Sequence, residues 1–296
     1  QANLSCVLRG VMTSIDRISP GQAPKGMIPF GYQRWQRLLF LHWEVKVDDL
    51  RPLVPAEFEL DLFEGKAYVG LVPYEMANIR PFFSGPIGVD FLEMNVRTYT
   101  LHNGNPGVYF FSLDASSKFA VAMAKLIWSL NYVDADMSVS TGHPSEAPAW
   151  AKATPFDVPQ GPIKFQSKRH ADGAMCDVEY TIGERLPPAK EGTLEFFLLE
   201  RYYLFVRTEY GVWQGQVHHT PYVAHAATVS KLTQTATDLA GLPVEGAAIA
   251  HWSPGVEVSA YGPWRAAPGN KSLKVPLMAA GAVLALAAGI LLRVLA

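Results

Sequence analysis

Cysteine is nearly absent: Cys6 and Cys176 are the only two in 296 residues. That excludes a disulfide framework and a zinc site built from four thiolates. An excess of either charge is missing too, since 25 Lys+Arg against 27 Asp+Glu leaves a formal charge of −2. A general nucleic-acid binder needs surplus cations to displace counterions from phosphates, so no nucleic-acid partner is expected. The chain also has no G-x-S-x-G elbow, no G-x-x-x-x-G-K-[ST] loop and no G-x-G-x-x-G after a strand. With no H-x-H or H-E-x-x-H spacing either, neither a metal nor a cofactor is expected.

What the chain does hold is apolar and aromatic: 49% hydrophobic residues, with 7 Trp, 12 Tyr and 15 Phe. This is core-forming material, not the composition of a disordered chain. Residues 1–32 mix Gly, Pro and Ser and read as an irregular N-terminal arm, wrapped on the domain or on a partner. Residues 33–262 form the main domain. RLLFLHWEV reads as a strand, VDDLRPLV as a short helix, and FELDLFEGKAYVGLVPYEM as two strands joined at Glu64-Gly65. FLEMNVRTYTL and VYFFSLDA flank a hairpin turn, NGNPG. Asp114 or Ser116 can cap a helix over FAVAMAKLIWSL, with Phe119, Met123, Leu126, Ile127 and Leu130 on one face. ADMSVSTG, PIKFQSKRH and AMCDVEYTIG continue as strands. Thr193 caps a helix TLEFFLLE, a Tyr210-Gly211 turn joins two further strands, and HWSPGVEVSAYG is the last. Many strands joined as hairpins and few short helices predict an α+β architecture, a closed or half-closed antiparallel barrel flanked by helices.

Residues 263–274 read as a linker. Val275 to Leu292 is then an eighteen-residue run without a charge, about 27 Å long as a helix and close to the thickness of a bilayer core. It has no polar stripe to turn toward solvent, so a transmembrane anchor over 275–296 is expected. Lys271, Lys274 and Arg265 precede it, which places the large domain on the cytoplasmic side. Gly281, Ala285 and Gly289 recur every fourth residue, a small-residue stripe on which another membrane helix could pack.

Several segments carry a resemblance. FLHWEV followed by LRPLVP, then GKAYVGLVPYEM, MNVRTYT, GVYFFSLDA, TLEFFLLERYYLF, a G-x-V-H-H-x-P run and HWSPGVEV stand in the order of the DUF2071 (YqjF-like) family, from about Gln33 to Val258. That family is similar to the acetoacetate decarboxylase-like superfamily, which implies a bent antiparallel barrel with a central cavity. The superfamily's decarboxylases use a Schiff-base lysine in a turn after a helix. The matching turn here is Ser129-Leu130-Asn131-Tyr132-Val133, so Tyr132 and Val133 stand where the lysines belong and neither can form an imine. Lys118 and Lys125 belong to the preceding helix and read as solvated.

Two constellations remain as site candidates. Glu93, Asn95 and Arg97 alternate in one strand and share a face. Turned inward they would grip a carboxylate, with Arg97 as forked donor; otherwise they form a structural ion pair or an outward polar stripe. His218 and His219 are adjacent and point to opposite faces, so they cannot share a metal. One of them, His218 being the candidate pocket residue, is either a general base paired with Glu44 or Glu93 or a hydrogen-bonded core histidine. Cys176 reads as a packed thiol. Two functions follow. The first is a non-catalytic accessory subunit, tethered in the membrane and docked on other membrane subunits through the tail helix and the arm. The second is a binding protein or lyase for a small carboxylate or lipid-derived ligand.

Overall fold

Apolar side chains on both sides of the central strands create two large cores with the sheet between them, and a third, smaller cluster gathers Tyr68, Tyr99, Val108, Phe197 and Leu198. A computed structural model describes residues 15–86, 88–141 and 156–266. Its strands are β1 (Gly31–Val45), β2 (Glu59–Leu60), β3 (Ala67–Pro81), β4 (Val89–His102), β5 (Asn105–Ala115), β6 (Tyr132–Thr141), β7 (Ile163–Arg169), β8 (Met175–Arg185), β9 (Tyr203–Thr208), β10 (Gly211–His218), β11 (His225–Gln234) and β12 (Ile249–Arg265). The helices are α1 (Val47–Leu50), α2 (Lys118–Trp128), α3 (Leu194–Leu199) and α4 (Ala236–Leu239).

The strands pair in the order β10-β9-β5-β6-β7-β8-β11-β12-β1-β3-β4-β2, with β10–β12 and β5–β4 pairings added. The ladder therefore returns on itself through β5, β4, β3, β1, β12, β10 and β9. Not all of it is antiparallel, as the sequence reading had it. β5 runs parallel to β6 and to β9, and the first of these pairings requires a crossover, which α2 supplies.

On β1, β3 and β4 alternate residues go to opposite sides. Leu39, Leu41, Trp43, Val69, Leu71, Met94 and Val96 join one core with Ile163, Phe165, Val178 and Trp252. Leu38, Phe40, Val72 and Tyr74 join the other with Tyr132, Tyr202, Val217, Tyr222, Val256 and Val258. Sheets covered on both faces read as continuous apolar runs, which is why RLLFLHWEV shows no clean alternation. The alternation also breaks inside β1. Arg37 sits at φ 49°, next to Gln36, whose partner Gly255 sits at φ 128°, and a Cβ on Gly255 would lie 2.0 Å from the Trp35 carbonyl oxygen. This paired bulge moves Trp35 and Leu38 to the same side.

Turns follow their residue chemistry. Glu64-Gly65 and Asn103-Gly104 have positive φ at both positions, as tight hairpins require. The cap of α2 is Ser117, whose Oγ accepts from the Ala120 amide. Asp114 and Ser116, the expected caps, are engaged elsewhere: Asp114 accepts from Arg169, and Ser116 Oγ accepts from the Leu92 amide. Of the helix's expected apolar face, the side chains of Met123, Leu126 and Ile127 lie outside the description; among the described side chains of α2, Val121 is buried. β12 continues to Arg265, into the stretch read as linker, because Gln214 and Trp213 pair with Trp264 and Arg265. The Gly262-Pro263 punctuation marks a register shift there, not an end.

The described part of the arm packs on the domain. Gln216 Nε2 donates to the Pro20 and Gln22 carbonyls, and Arg17 forms a two-pronged pair with Asp61 at 2.6 and 2.7 Å. Among the described residues no helix is long and apolar enough to cross a membrane. The run Val275–Leu292, with Gly281, Ala285 and Gly289, lies outside the described residues.

Candidate functional site

β4 turns Glu93, Asn95 and Arg97 to the side of the sheet occupied by Phe40, Val72 and Tyr74, opposite Met94 and Val96. Register completes the floor: Tyr74 pairs with Glu93, Val72 with Asn95, and Gly70 with both Arg97 and His42. Gly70 is needed for the approach, since a Cβ there would lie 3.1 Å from His42 Cδ2 and 3.4 Å from Arg97 Cγ.

Glu93 is 1% exposed and accepts two phenol hydrogen bonds, from Tyr74 at 2.5 Å and Tyr132 at 2.8 Å. Burial raises its carboxyl to about 7 against the opposing pull of the two donors. Both phenols are pushed well above their ordinary value, first by burial and then by the Glu93 charge. Tyr132 thus holds a carboxylate in place. Val133, its neighbour, is half-buried.

Arg97 is half-buried and lies over the rings of Phe40 and Tyr99, with Cζ 5.6 and 5.9 Å from their centroids. It reaches the Leu198 carbonyl at 3.4 Å, while its Nε has no hydrogen-bond partner in the protein. Buried Asn95 Oδ1, His42 Nδ1 and His219 Nε2 are likewise unpartnered. His42 Nε2 lies 2.7 Å from Tyr99 Oη, which itself donates to the Leu198 carbonyl. The Tyr99 proton being used there, His42 carries its proton on Nε2 and presents a bare lone pair at Nδ1. Burial, and then the Arg97 charge, keeps this imidazole well below its ordinary value.

The histidine pair divides as adjacent strand positions do. His218, the candidate, faces the arm and lies 2.7 Å from the Gly21 carbonyl oxygen. His219 turns inward between Tyr202 and Tyr222, with ring centroids 4.8 Å from each. Burial pulls it down to about 4. Glu44, offered as a partner, is exposed and paired with Lys66 at 2.7 Å. The sequence reading took His218 and not His219 as the pocket residue of the pair, and it missed His42, Tyr74, Tyr99 and Tyr222 as site residues. Alternation along GLVPY was the available signal for Tyr74; the others needed register.

Among the described residues no lysine is buried. Lys118 and Lys125 are exposed on α2, and Lys164 alone is half-buried, on β7. Cys176 is packed in the first core, its thiol pushed up to about 12 by burial.

Comparison with known proteins places these features. Among solved structures, an acetoacetate decarboxylase from Legionella pneumophila superposes with a TM-score of 0.54 at 16% identity, covering 94% of this chain and 99% of that one. The enduracididine biosynthesis enzyme MppR complexed with pyruvate gives 0.53 at 11% identity, covering 80% and 90%. These likenesses establish an acetoacetate decarboxylase-like fold, mostly sheet with few helices. The uncharacterized protein YqjF of Bacillus subtilis (strain 168) is 33% identical over 213 residues, 71% of this chain and 81% of that protein. Residues 32–257 match DUF2071, described as an uncharacterized conserved protein, and the chain belongs to that family.

Proposed function

We propose that the closed circuit of strands is a bent barrel whose interior binds a small carboxylate, with Arg97 holding the anion and Glu93 exchanging a proton with the far end of the ligand. The observation that carries this is the line Glu93–Asn95–Arg97, spanning about 13 Å of one strand. It combines a cation with a free Nε, an amide oxygen without a partner and a carboxyl raised to about 7. Buried polar atoms are rarely left unpaired, so donors and acceptors converging without partners fit a ligand. A carboxyl near 7 can give or take a proton at neutral pH. The groups that converge here, the Glu93 carboxyl and the His42 and His219 imidazoles, are acid–base groups, so the chemistry proposed is proton exchange. MppR, of the same fold, is described in complex with pyruvate, and pyruvate is therefore the first probe. Titrating pyruvate and other short monocarboxylates against the full chain by calorimetry should show binding. Arg97→Ala should weaken it by about tenfold or more, the loss of a hydrogen bond to a charged group. Binding unchanged in Arg97→Ala, or none in the parent, overturns the reading.

A second reading concerns place. The uncharged run Val275–Leu292 favours a single-pass anchor with the barrel on the cytoplasmic side, and Gly281, Ala285 and Gly289 favour docking on a larger membrane assembly as an accessory subunit. Extraction from native membranes in mild detergent followed by sizing should then give a complex. Migration as a lone 32.5 kDa chain argues against it.

A further inference from the structure

Large apolar side chains left exposed are few among the described residues, and four of them meet at one corner. Ile28 is 73% exposed, Phe83 50%, Phe82 49% and Met27 37%. Phe82 and Phe83 stack edge to face with centroids 5.3 Å apart. The two segments are tied through Phe30, whose carbonyl accepts from the Phe82 amide at 3.2 Å and whose amide donates to Ala260 at 2.7 Å. The corner is therefore one continuous patch at the start of β1 and the end of β3. An apolar patch of this kind on a protein surface marks a contact.

Topology says which contact. β12 runs antiparallel to β1 from Ile249 opposite His42 to Ala260 opposite Gly31, and then continues to Arg265. It passes the end of β1 that carries the patch and stays paired with β10 as far as Arg265. Tyr210, 70% exposed, sits at the β9–β10 turn, where its neighbour Gly211 approaches the Arg265 guanidinium. Nine residues separate Arg265 from Val275, and these reach at most about 30 Å. The end of the domain nearest the apolar run is thus the end with exposed Phe, Ile and Tyr and with basic Lys25 and Arg265, while Lys271 and Lys274 stand in the sequence between Arg265 and the run; the acidic side chains there include Glu209, beside Tyr210 in the turn, and Asp90, which accepts from the Asn78 amide.

We propose that this corner, Met27, Ile28, Phe82 and Phe83, lies in the headgroup layer of a bilayer and holds the barrel against the membrane. Aromatic and aliphatic side chains settle at that depth, and basic residues favour anionic lipid beside them. The proposal rests on the reading of residues 275–292 as a membrane span.

The test uses the full chain with Cys6→Ser, carrying one new cysteine at Phe83→Cys, Ile28→Cys or Lys46→Cys and labelled there with an environment-sensitive fluorophore. Lys46 is exposed at the opposite end of β1. Each protein is reconstituted into phosphatidylcholine–phosphatidylglycerol vesicles with and without spin-labelled lipid, then washed in carbonate. Labels at 83 and 28 should lose about half their emission to the spin-labelled lipid, while the label at 46 keeps it. If the protein stays with the vesicles and all three labels behave alike, the lipid-facing corner is overturned while the anchor stands. A blue shift at 83 without quenching marks a protein cover, such as a second copy, and overturns it as well. Release of the chain by carbonate removes the anchor and the corner together.

Discussion

Glu93 and His219 pull stability in opposite directions with pH. Glu93 is raised from 4.5 to about 7, so the folded state holds its proton more tightly than the unfolded state. Its contribution is complete below about 4.5 and is lost as pH rises through about 7. His219 is lowered from 6.5 to about 4; its contribution is present above 6.5 and is lost as pH falls toward 4. Between about 4.5 and 6.5 the two slopes offset each other. Glu93→Gln removes one of them, so stability of the variant should climb with pH more steeply than the parent's, by about 1.4 kcal/mol per pH unit. Urea denaturation at several pH values across this window measures it, and parallel curves for the two proteins would mean that Glu93 titrates normally. Adjacent His218 faces the Gly21 carbonyl. That the two histidines part company was legible from strand geometry. Which of them enters the core was not, because it depends on Val217 pairing with Ala260.

At the scale of elements, the arm, the β2 segment and the end of α3 meet on one carboxylate. Asp61 accepts from both Arg17 nitrogens and from Arg201 at 3.1 Å. Arg201 is buried between Tyr99 and Phe197, with its Cζ 4.9 and 4.3 Å from their centroids, and burial lowers it to about 10. Removing the carboxylate strands this cation, so Asp61→Asn should cost about 3–5 kcal/mol. Arg17→Ala leaves the Asp61–Arg201 pair intact and should cost about 1 kcal/mol. Equal losses in urea denaturation would deny the distinction. Hairpins at Glu64-Gly65 and Asn103-Gly104 were readable because two residues with positive φ have a local signature. The bulge at Arg37 was not, for an arginine at φ 49° is held there by its buried two-pronged pair with Glu75, thirty-eight positions away.

Among the described residues the strands form a ring with a leaf. β6, β7, β8 and β11 join the rest through short seams. β5 meets β6 at Leu113–Tyr132, Asp114–Val133 and Ala115–Asp134, and β11 meets β12 at His225–Trp252 and Ala226–His251. The ladders among β1, β3, β4 and β12 are long by comparison. Opening of the leaf should therefore precede global unfolding. Hydrogen exchange should show amides of β7 and β8 protected less than those of β1 and β3. A single level of protection across both would show that the ring and the leaf unfold as one.

Composition, turn chemistry and the order of apolar segments were enough to announce a sheet-rich chain with few helices, because these properties act over a few residues. The site itself was assembled by distance. Glu93 becomes a group that titrates near neutrality only when β3 and β6 bring Tyr74 and Tyr132 to it and exclude water. His42 and Arg97 become neighbours only because Gly70, between them in the sheet, has no side chain to keep them apart. Desolvation and cross-strand proximity are properties of the closed ladder, and no stretch of chain carries them alone.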